Sequence, residues 1–213
     1  MWIRRVSSWM VSFAMIGAGL ALVASFFYAG SLNSGATANA DPGDFKVPKV
    51  EPYQHDDAPK GPKDKTLELT IPRMSQIEGD TVADATGDNE RALKENAAIH
   101  LKGTGFPWEE EANVYIAGHR LGYPGTNSFL AFFDLNKLEK GDRVFVTDSE
   151  GRKYTYKVLE EFVARPTDLH VTKLLPGKNV LSLQTCTLPN YAERVIARAE
   201  LVDEALTSAG LPR

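Results

Sequence analysis

From residue 67 onward the chain alternates apolar and polar side chains in short runs, and that period of two limits what it can fold into. Leu67, Leu69 and Ile71 are interleaved with Glu68 and Thr70, the pattern of a strand with one buried and one wet face. Further strands are read at 113–118, 143–148, 153–163, 180–186 and 194–202. Asp148-Ser149-Glu150-Gly151 separates two of them with hairpin-turn chemistry. A short helix is expected over 88–98, with Asp88 as its cap and Ala92, Leu93 and Ala97 on one side. Residues 128–138, rich in Phe and Leu, read as a short helix and turn that plugs the core, and a strand also fits their pattern. Many short strands with few helices predict a mainly β domain, closed or nearly closed into a barrel.

The first 65 residues follow other rules. No charged residue occurs between Arg5 and Asp41, and 6–28 is dominated by Val, Ile, Leu, Phe, Met, Ala and Gly. A bilayer core takes about 20 such residues. Arg4 and Arg5 precede the run, so the positive-inside bias keeps Met1 cytoplasmic and sends the rest outward. Trp2, Trp9 and Tyr28 stand where interfacial aromatics would. The competing reading is a cleaved signal peptide, because Ala38-Asn39-Ala40 has the small-residue pattern of a cleavage site. The run exceeds the roughly 7–15 residues of a signal-peptide core and the site lies well beyond its end, which favours an anchor. Either way the domain works outside the cytoplasm, and the anchor reading places it at the cell membrane. Pro42, Pro48, Pro52, Pro59 and Pro62 then rule out a continuous helix or central strand. The expected division is a cytoplasmic tip and transmembrane helix over 1–30, a flexible extracytoplasmic linker over 31–65 and a folded domain over 66–213.

A net charge of -4 offers no broad basic field for a nucleic-acid backbone. Cys186 is the single cysteine, so no internal disulfide can form, and no paired Cys/His spacing suggests structural zinc. The acidic run Glu109-Glu110-Glu111 reads as a solvated loop, not a metal site. No cofactor is implied.

Chemistry is concentrated at the end of the run Val180-Leu181-Ser182-Leu183-Gln184-Thr185-Cys186. Strand side chains alternate, so Leu181 and Leu183 point one way while Ser182, Gln184 and Cys186 point the other. A cysteine serving only as a core hydrophobe would be expected on the leucine face. Seven residues, Thr187 to Glu193, separate Cys186 from Arg194. In an antiparallel hairpin Arg194 would face Cys186, with Cβ atoms about 5 Å apart. A guanidinium there favours the thiolate and can donate to an oxyanion. Arg198 reads as an exposed edge-strand arginine. A thiol attacking an amide also needs a proton carrier. His55 falls in the linker, and His100 and His170 lack a polar-face pattern. His119 ends a strand just before a Gly/Pro loop, where barrels place functional groups, although the residues alone leave a structural role open.

Together these residues resemble the sortase family. Ser182-Leu183-Gln184-Thr185-Cys186 is similar to its Thr-Leu-x-Thr-Cys signature, with Ser in place of the first Thr. Ile116-Ala117-Gly118-His119-Arg120 resembles its strand ending in Gly-His, and Arg194 opening the last strand resembles its essential arginine. The loop Gly118-His119-Arg120-Leu121-Gly122-Tyr123 is similar to class E sortases of actinobacteria. The resemblance implies a closed β-barrel of about eight strands with short helices behind an N-terminal membrane helix. It implies a cysteine transpeptidase in which Cys186, His119 and Arg194 are catalytic, with Tyr123, Thr185, Gln184 and Ser182 as substrate-binding positions. The implied partners are secreted proteins with a C-terminal Leu-Pro-x-Thr-Gly or Leu-Ala-x-Thr-Gly-like signal, and a cell-wall precursor or pilin amine as acceptor. A papain-like hydrolase is the enzymatic alternative, but it usually places its cysteine before its histidine. A non-catalytic surface-binding barrel is the other, and it leaves the Cys, His and Arg coincidence unexplained.

Overall fold

The computed structural model describes residues 61–202. The apolar run at 6–28, the Ala38-Asn39-Ala40 site, His55 and most of the expected linker lie outside the described residues, as does the tail from 203. No helix among the described residues is long and apolar enough to cross a membrane.

Among the described residues eight strands form: β1 (Leu67–Thr70), β2 (Glu78–Ala85), β3 (Ala98–Leu101), β4 (Ala112–Ala117), β5 (Arg143–Asp148), β6 (Lys153–Ala164), β7 (Asn179–Cys186) and β8 (Arg194–Leu201). They close into a barrel in the order β1-β2-β3-β4-β7-β8-β6-β5. The mainly β barrel that alternation predicts is therefore present. Its interior collects Leu67 and Leu69 of β1, Val114 and Ile116 of β4, Leu181 and Leu183 of β7, and Val195, Ala197 and Ala199 of β8. β2 pairs with β3, and β4 with β7, in parallel; the other neighbours are antiparallel. The β5–β6 hairpin turns at Gly151, whose positive φ of 82° suits glycine.

Three local details differ from expectation. The helix α1 spans only Glu90–Glu95, and its cap is Asn89, whose side-chain oxygen accepts from the Ala92 N–H at 3.0 Å. Asn96 is already extended, so Ala97 and Ala98 enter the core instead of continuing the helix. β2 and β3 are strands that alternation does not mark. Residues 128–138 do plug the core as expected, through the fully buried Phe132 and Leu135, in turns and one 3-10 turn at Leu135–Lys137 with no strand. The folded unit also reaches back into the expected linker. Gly61 lies against the Trp108 indole, and the Lys65 ammonium sits 4.6 Å from that ring's centroid.

The β6–β7 connection, residues 165–178, lies over the outer face of the sheet. Its Val171 packs with Leu101, Tyr115, Ala164 and Ile196. The Asn113 side-chain amide donates to the carbonyls of Val171 and Lys173, both at 2.9 Å. The Gly177 N–H donates to the Glu111 carboxylate at 2.9 Å.

Candidate active site

The β7–β8 hairpin places the cysteine opposite the arginine. Ladder partners run from Val180 with Glu200 through Ser182 with Arg198 to Cys186 with Arg194. The connection closes with Thr187 N–H donating to the Glu193 carbonyl at 3.0 Å. Arg194 is 4% exposed, and its Nη1 donates to the carbonyls of Tyr191 (3.0 Å) and Glu193 (3.1 Å). The loop carbonyls thus fix one arm of the guanidinium beside the end of β7.

The parallel pairing of β4 with β7 brings in the histidine. Ala117 lies level with Gln184, and the ladder continues with Gly118 N–H donating to the Gln184 carbonyl at 3.0 Å. His119 therefore comes level with Cys186. Its backbone carbonyl accepts from Phe132 N–H at 3.0 Å. Gly118 is required by the same contact, since a Cβ there would come within 2.9 Å of the Phe132 ring. Gly122 has a positive φ of 63° and its missing Cβ makes room for the Ser128 carbonyl. Tyr123 N–H then donates to Ser128 Oγ at 3.2 Å, and the Tyr123 and His119 rings stand perpendicular with centroids 5.5 Å apart.

The face bearing Cys186 is opposite the leucine face, as alternation requires, but it is not open to solvent. Cys186 is 2% exposed and packs with Ala85, Leu93, Ile99 and Ala117. Ser182 and Gln184 share its face and are equally buried. Tyr115 donates its hydroxyl to Gln184 Oε1 at 2.5 Å. The cover comes from α1 over the thiol and from residues 165–178 over the rest of the strand. Thr185 points into the barrel interior, where its hydroxyl donates to the Gly118 carbonyl at 2.9 Å. The structure therefore brings Cys186, His119, Arg194 and Tyr123 to one end of the barrel, and Ser182 and Gln184 along the face leading to it. Thr185 is not on that face; it ties β7 to the residue before His119.

Burial pushes the His119 imidazole down to about 4. Burial also raises the Tyr115 hydroxyl, and the positive charges of Arg194 and Arg198 oppose that rise. Arg120, next to His119, is lowered by burial and raised in turn by Glu161, Asp134 and the Cys186 sulfur. Burial raises Tyr191, with a further contribution from the Cys186 sulfur. Tyr191, which carries a positive φ of 56°, packs against the Cys186 cluster. Periodicity gives no sign of Tyr191 or Phe132 as neighbours of the site, because both act from loops. Arg198 also differs from its reading, with a side chain only 13% exposed. Among the described residues no three His, Cys, Asp or Glu side chains are grouped as a metal site requires.

A family model described as Sortase domain matches residues 69–202. Sortase A of Streptococcus agalactiae serotype III is 38% identical over 90 residues, which is 42% of this chain and 36% of that protein. The crystal structure of sortase C1 from S. agalactiae superposes with a TM-score of 0.55 at 28% identity, covering 63% of this chain and 66% of that one. A lid mutant of sortase A from Corynebacterium diphtheriae gives 0.56 at 23% identity, covering 73% and 76%, and shows the shared fold. The chain spans less than two thirds of the length of the first two relatives.

Proposed function

This chain belongs to the sortase family, and from that premise we propose that it is a membrane-anchored transpeptidase acting on secreted proteins with a C-terminal sorting signal. Cys186 attacks the threonine carbonyl of a Leu-Pro-x-Thr-Gly or Leu-Ala-x-Thr-Gly-like segment and forms a C–S bond. His119 protonates the glycine nitrogen as the C–N bond breaks, leaving a thioacyl enzyme. An acceptor amine then attacks the thioester, His119 takes its proton, and Cys186 leaves as the new amide forms. Arg194 donates to the oxyanion in both steps. The low imidazole pKa favours a resting neutral thiol and imidazole, so turnover draws on a minor ion-paired population.

The observation that carries this reading is the Cys186–Arg194 ladder pair with His119 level on the neighbouring strand. It gives a nucleophile, a proton carrier and a donor cation at one barrel end. Tyr123, beside His119 and in the class E-like loop, is assigned to the second residue of the signal, where its hydroxyl would hydrogen-bond the N–H that alanine has and proline lacks. Residues 1–30 serve as the anchor, with the N-terminus cytoplasmic and the barrel outside.

The test is product capture. Incubation with a Leu-Ala-x-Thr-Gly peptide and an added amine should give cleavage between Thr and Gly and a new Thr-amine amide. Hydrolysis alone at high amine concentration would overturn transpeptidation. A cell-wall precursor amine is the expected acceptor, and supplying a pilin lysine in competition separates the pilus-building alternative.

A further inference from the structure

Arg198 and Ser182 face each other across the β7–β8 ladder, four residues along each strand from the Cys186–Arg194 pair. The Arg198 guanidinium lies over the Phe162 ring, 4.8 Å from its centroid, and Nη1 reaches Glu160 Oε1 at 3.4 Å. Its Nε is buried and has no hydrogen-bond partner among the described residues. Ser182 Oγ, on a residue with no exposed surface, is likewise buried without a partner among them. So is the Gln184 side-chain nitrogen, whose companion oxygen is taken by Tyr115.

These three atoms lie on one face of adjacent strands leading toward Cys186, and they share a chemistry. Arg Nε and the Gln nitrogen can only donate, and a Ser hydroxyl can donate. Buried donors left without acceptors are costly, so the complementary ligand is one that offers acceptors. Ser182 and Gln184 are two residues apart, about 6.8 Å, which is also the repeat of alternate carbonyls along an extended peptide. The Nε edge of a guanidinium is a fork that matches a carboxylate with two parallel hydrogen bonds.

Resting on the transpeptidase reading, we propose that Arg198 and Ser182 form a subsite for an acidic side chain of the sorting peptide, four residues before the threonine that is attacked. Four strand residues span about 13 Å, and an extended peptide covers that distance with the same number. In a Leu-x-x-Thr-Gly signal this is the residue immediately ahead of the leucine. Recognition therefore extends one place beyond the pentapeptide. The subsite lies next to the exposed carboxylate of Glu160. Glu160 holds the Nη1 arm and opposes a second carboxylate, so it moderates the preference. The Lys178–Glu200 ion pair, at 3.1 Å, lies two ladder positions farther from the thiol.

Three peptides, Z-Leu-Ala-Ser-Thr-Gly with Z as Glu, Gln or Lys, test this by fluorescence anisotropy binding to a Cys186→Ala chain and by cleavage with the native chain. The Glu peptide should exceed the Lys peptide by about ten-fold or more in affinity and in kcat/KM. The ratio should fall to near one with Arg198→Gln and rise with the surface substitution Glu160→Gln. Equal binding of Glu and Lys peptides, or a preference that survives Arg198→Gln, overturns the subsite. Cleavage of all three at one rate overturns it while leaving the transpeptidase reading intact. Selective binding without any cleavage supports the subsite and overturns that reading, and no binding by any of the three overturns both.

Discussion

Two histidines are buried in this domain, His100 with no exposed surface and His119 at 5%, and they sit in regions built for different ends. His100, on β3, places Nδ1 2.9 Å from the Asp84 carboxylate and Nε2 3.0 Å from the Gly105 carbonyl and 3.1 Å from Thr104 Oγ. Its ring packs 4.2 Å from that of Phe106, which stacks in turn on Trp108. That arrangement satisfies both ring nitrogens and clamps β2 to β3. His119 stands instead at a strand end, beside the Tyr123 ring and level with the lone thiol, and burial pulls its pKa down to about 4. One site uses a histidine for rigidity; the other holds a titratable ring level with a thiol. Burial alone does not separate the two roles, but the neighbours do.

The comparison breaks if the two histidines prove interchangeable. His119→Gln should lower kcat/KM by about 10²–10⁴, the usual worth of a general acid–base group, with little change in melting temperature. His100→Ala should do the reverse, costing roughly 2–4 kcal/mol in stability through a cavity and unpaired buried acceptors. Its activity loss should follow only the unfolded fraction. Urea unfolding and steady-state cleavage of one peptide check both. A large rate loss in folded His100→Ala, or none in His119→Gln, would erase the distinction.

A second contrast, along one face of β8, is between the arginines. Arg194→Ala should cost about 10²–10³ in kcat, as expected for an oxyanion donor. Arg198→Ala, four residues away and facing Ser182, should cost far less and chiefly with acidic peptides. Equal losses with every peptide would refute the assignment of the oxyanion to Arg194.

The electrostatic side of the histidine comparison shows in stability against pH. His119 titrates near 6.5 when unfolded and at about 4 when folded, so below pH 6.5 the unfolded chain binds the extra proton. The stability associated with neutral His119 is complete above about pH 6.5 and is lost as pH falls through about 4. The full difference is roughly 3 kcal/mol. Denaturant melts at pH 7 and 4 should show a fall in the native chain that is smaller by about that amount in His119→Gln. An identical fall in both would mean that His119 is not held neutral by burial.

The smallest expected effect concerns Tyr123. An alanine-containing signal should be preferred over its proline counterpart by about ten-fold, and Tyr123→Phe should reduce that ratio. Paired kcat/KM values measure it. A native preference for proline, or an unchanged ratio in Tyr123→Phe, would return Tyr123 to packing the Gly122-Tyr123-Pro124-Gly125 turn.

How much of this was legible in the sequence follows from what holds each piece in place. The Cys186–Arg194 pairing could be read because a short connection and strict alternation leave a hairpin few registers. The barrel class could be read because β1, β5, β7 and β8 carry their own apolar alternation. β2 could not, since Glu78–Ala85 buries little of itself and is held by ladders to β1 and β3. β3 is four residues, all buried, with no alternation to detect, and it begins where the helix expected over 88–98 ends. The level of His119 with Cys186 depends on the parallel β4–β7 pairing between segments far apart in the chain, which local periodicity does not encode. Nor does alternation reveal that the polar face of β7 is covered, because the cover comes from α1 and residues 165–178. Arg198 likewise loses its expected exposure to the Phe162 ring and Glu160 of β6, which its own strand does not encode.

The most direct test of the central claim is intact-mass analysis of the chain after mixing with a sorting peptide and little acceptor amine. The account predicts a mass increase equal to the peptide through its threonine, mapped to Cys186 as a thioester, discharged on adding an amine and absent from folded Cys186→Ala, which should cleave nothing. Cleavage by folded Cys186→Ala, or an acyl group mapped to any other residue, would contradict it.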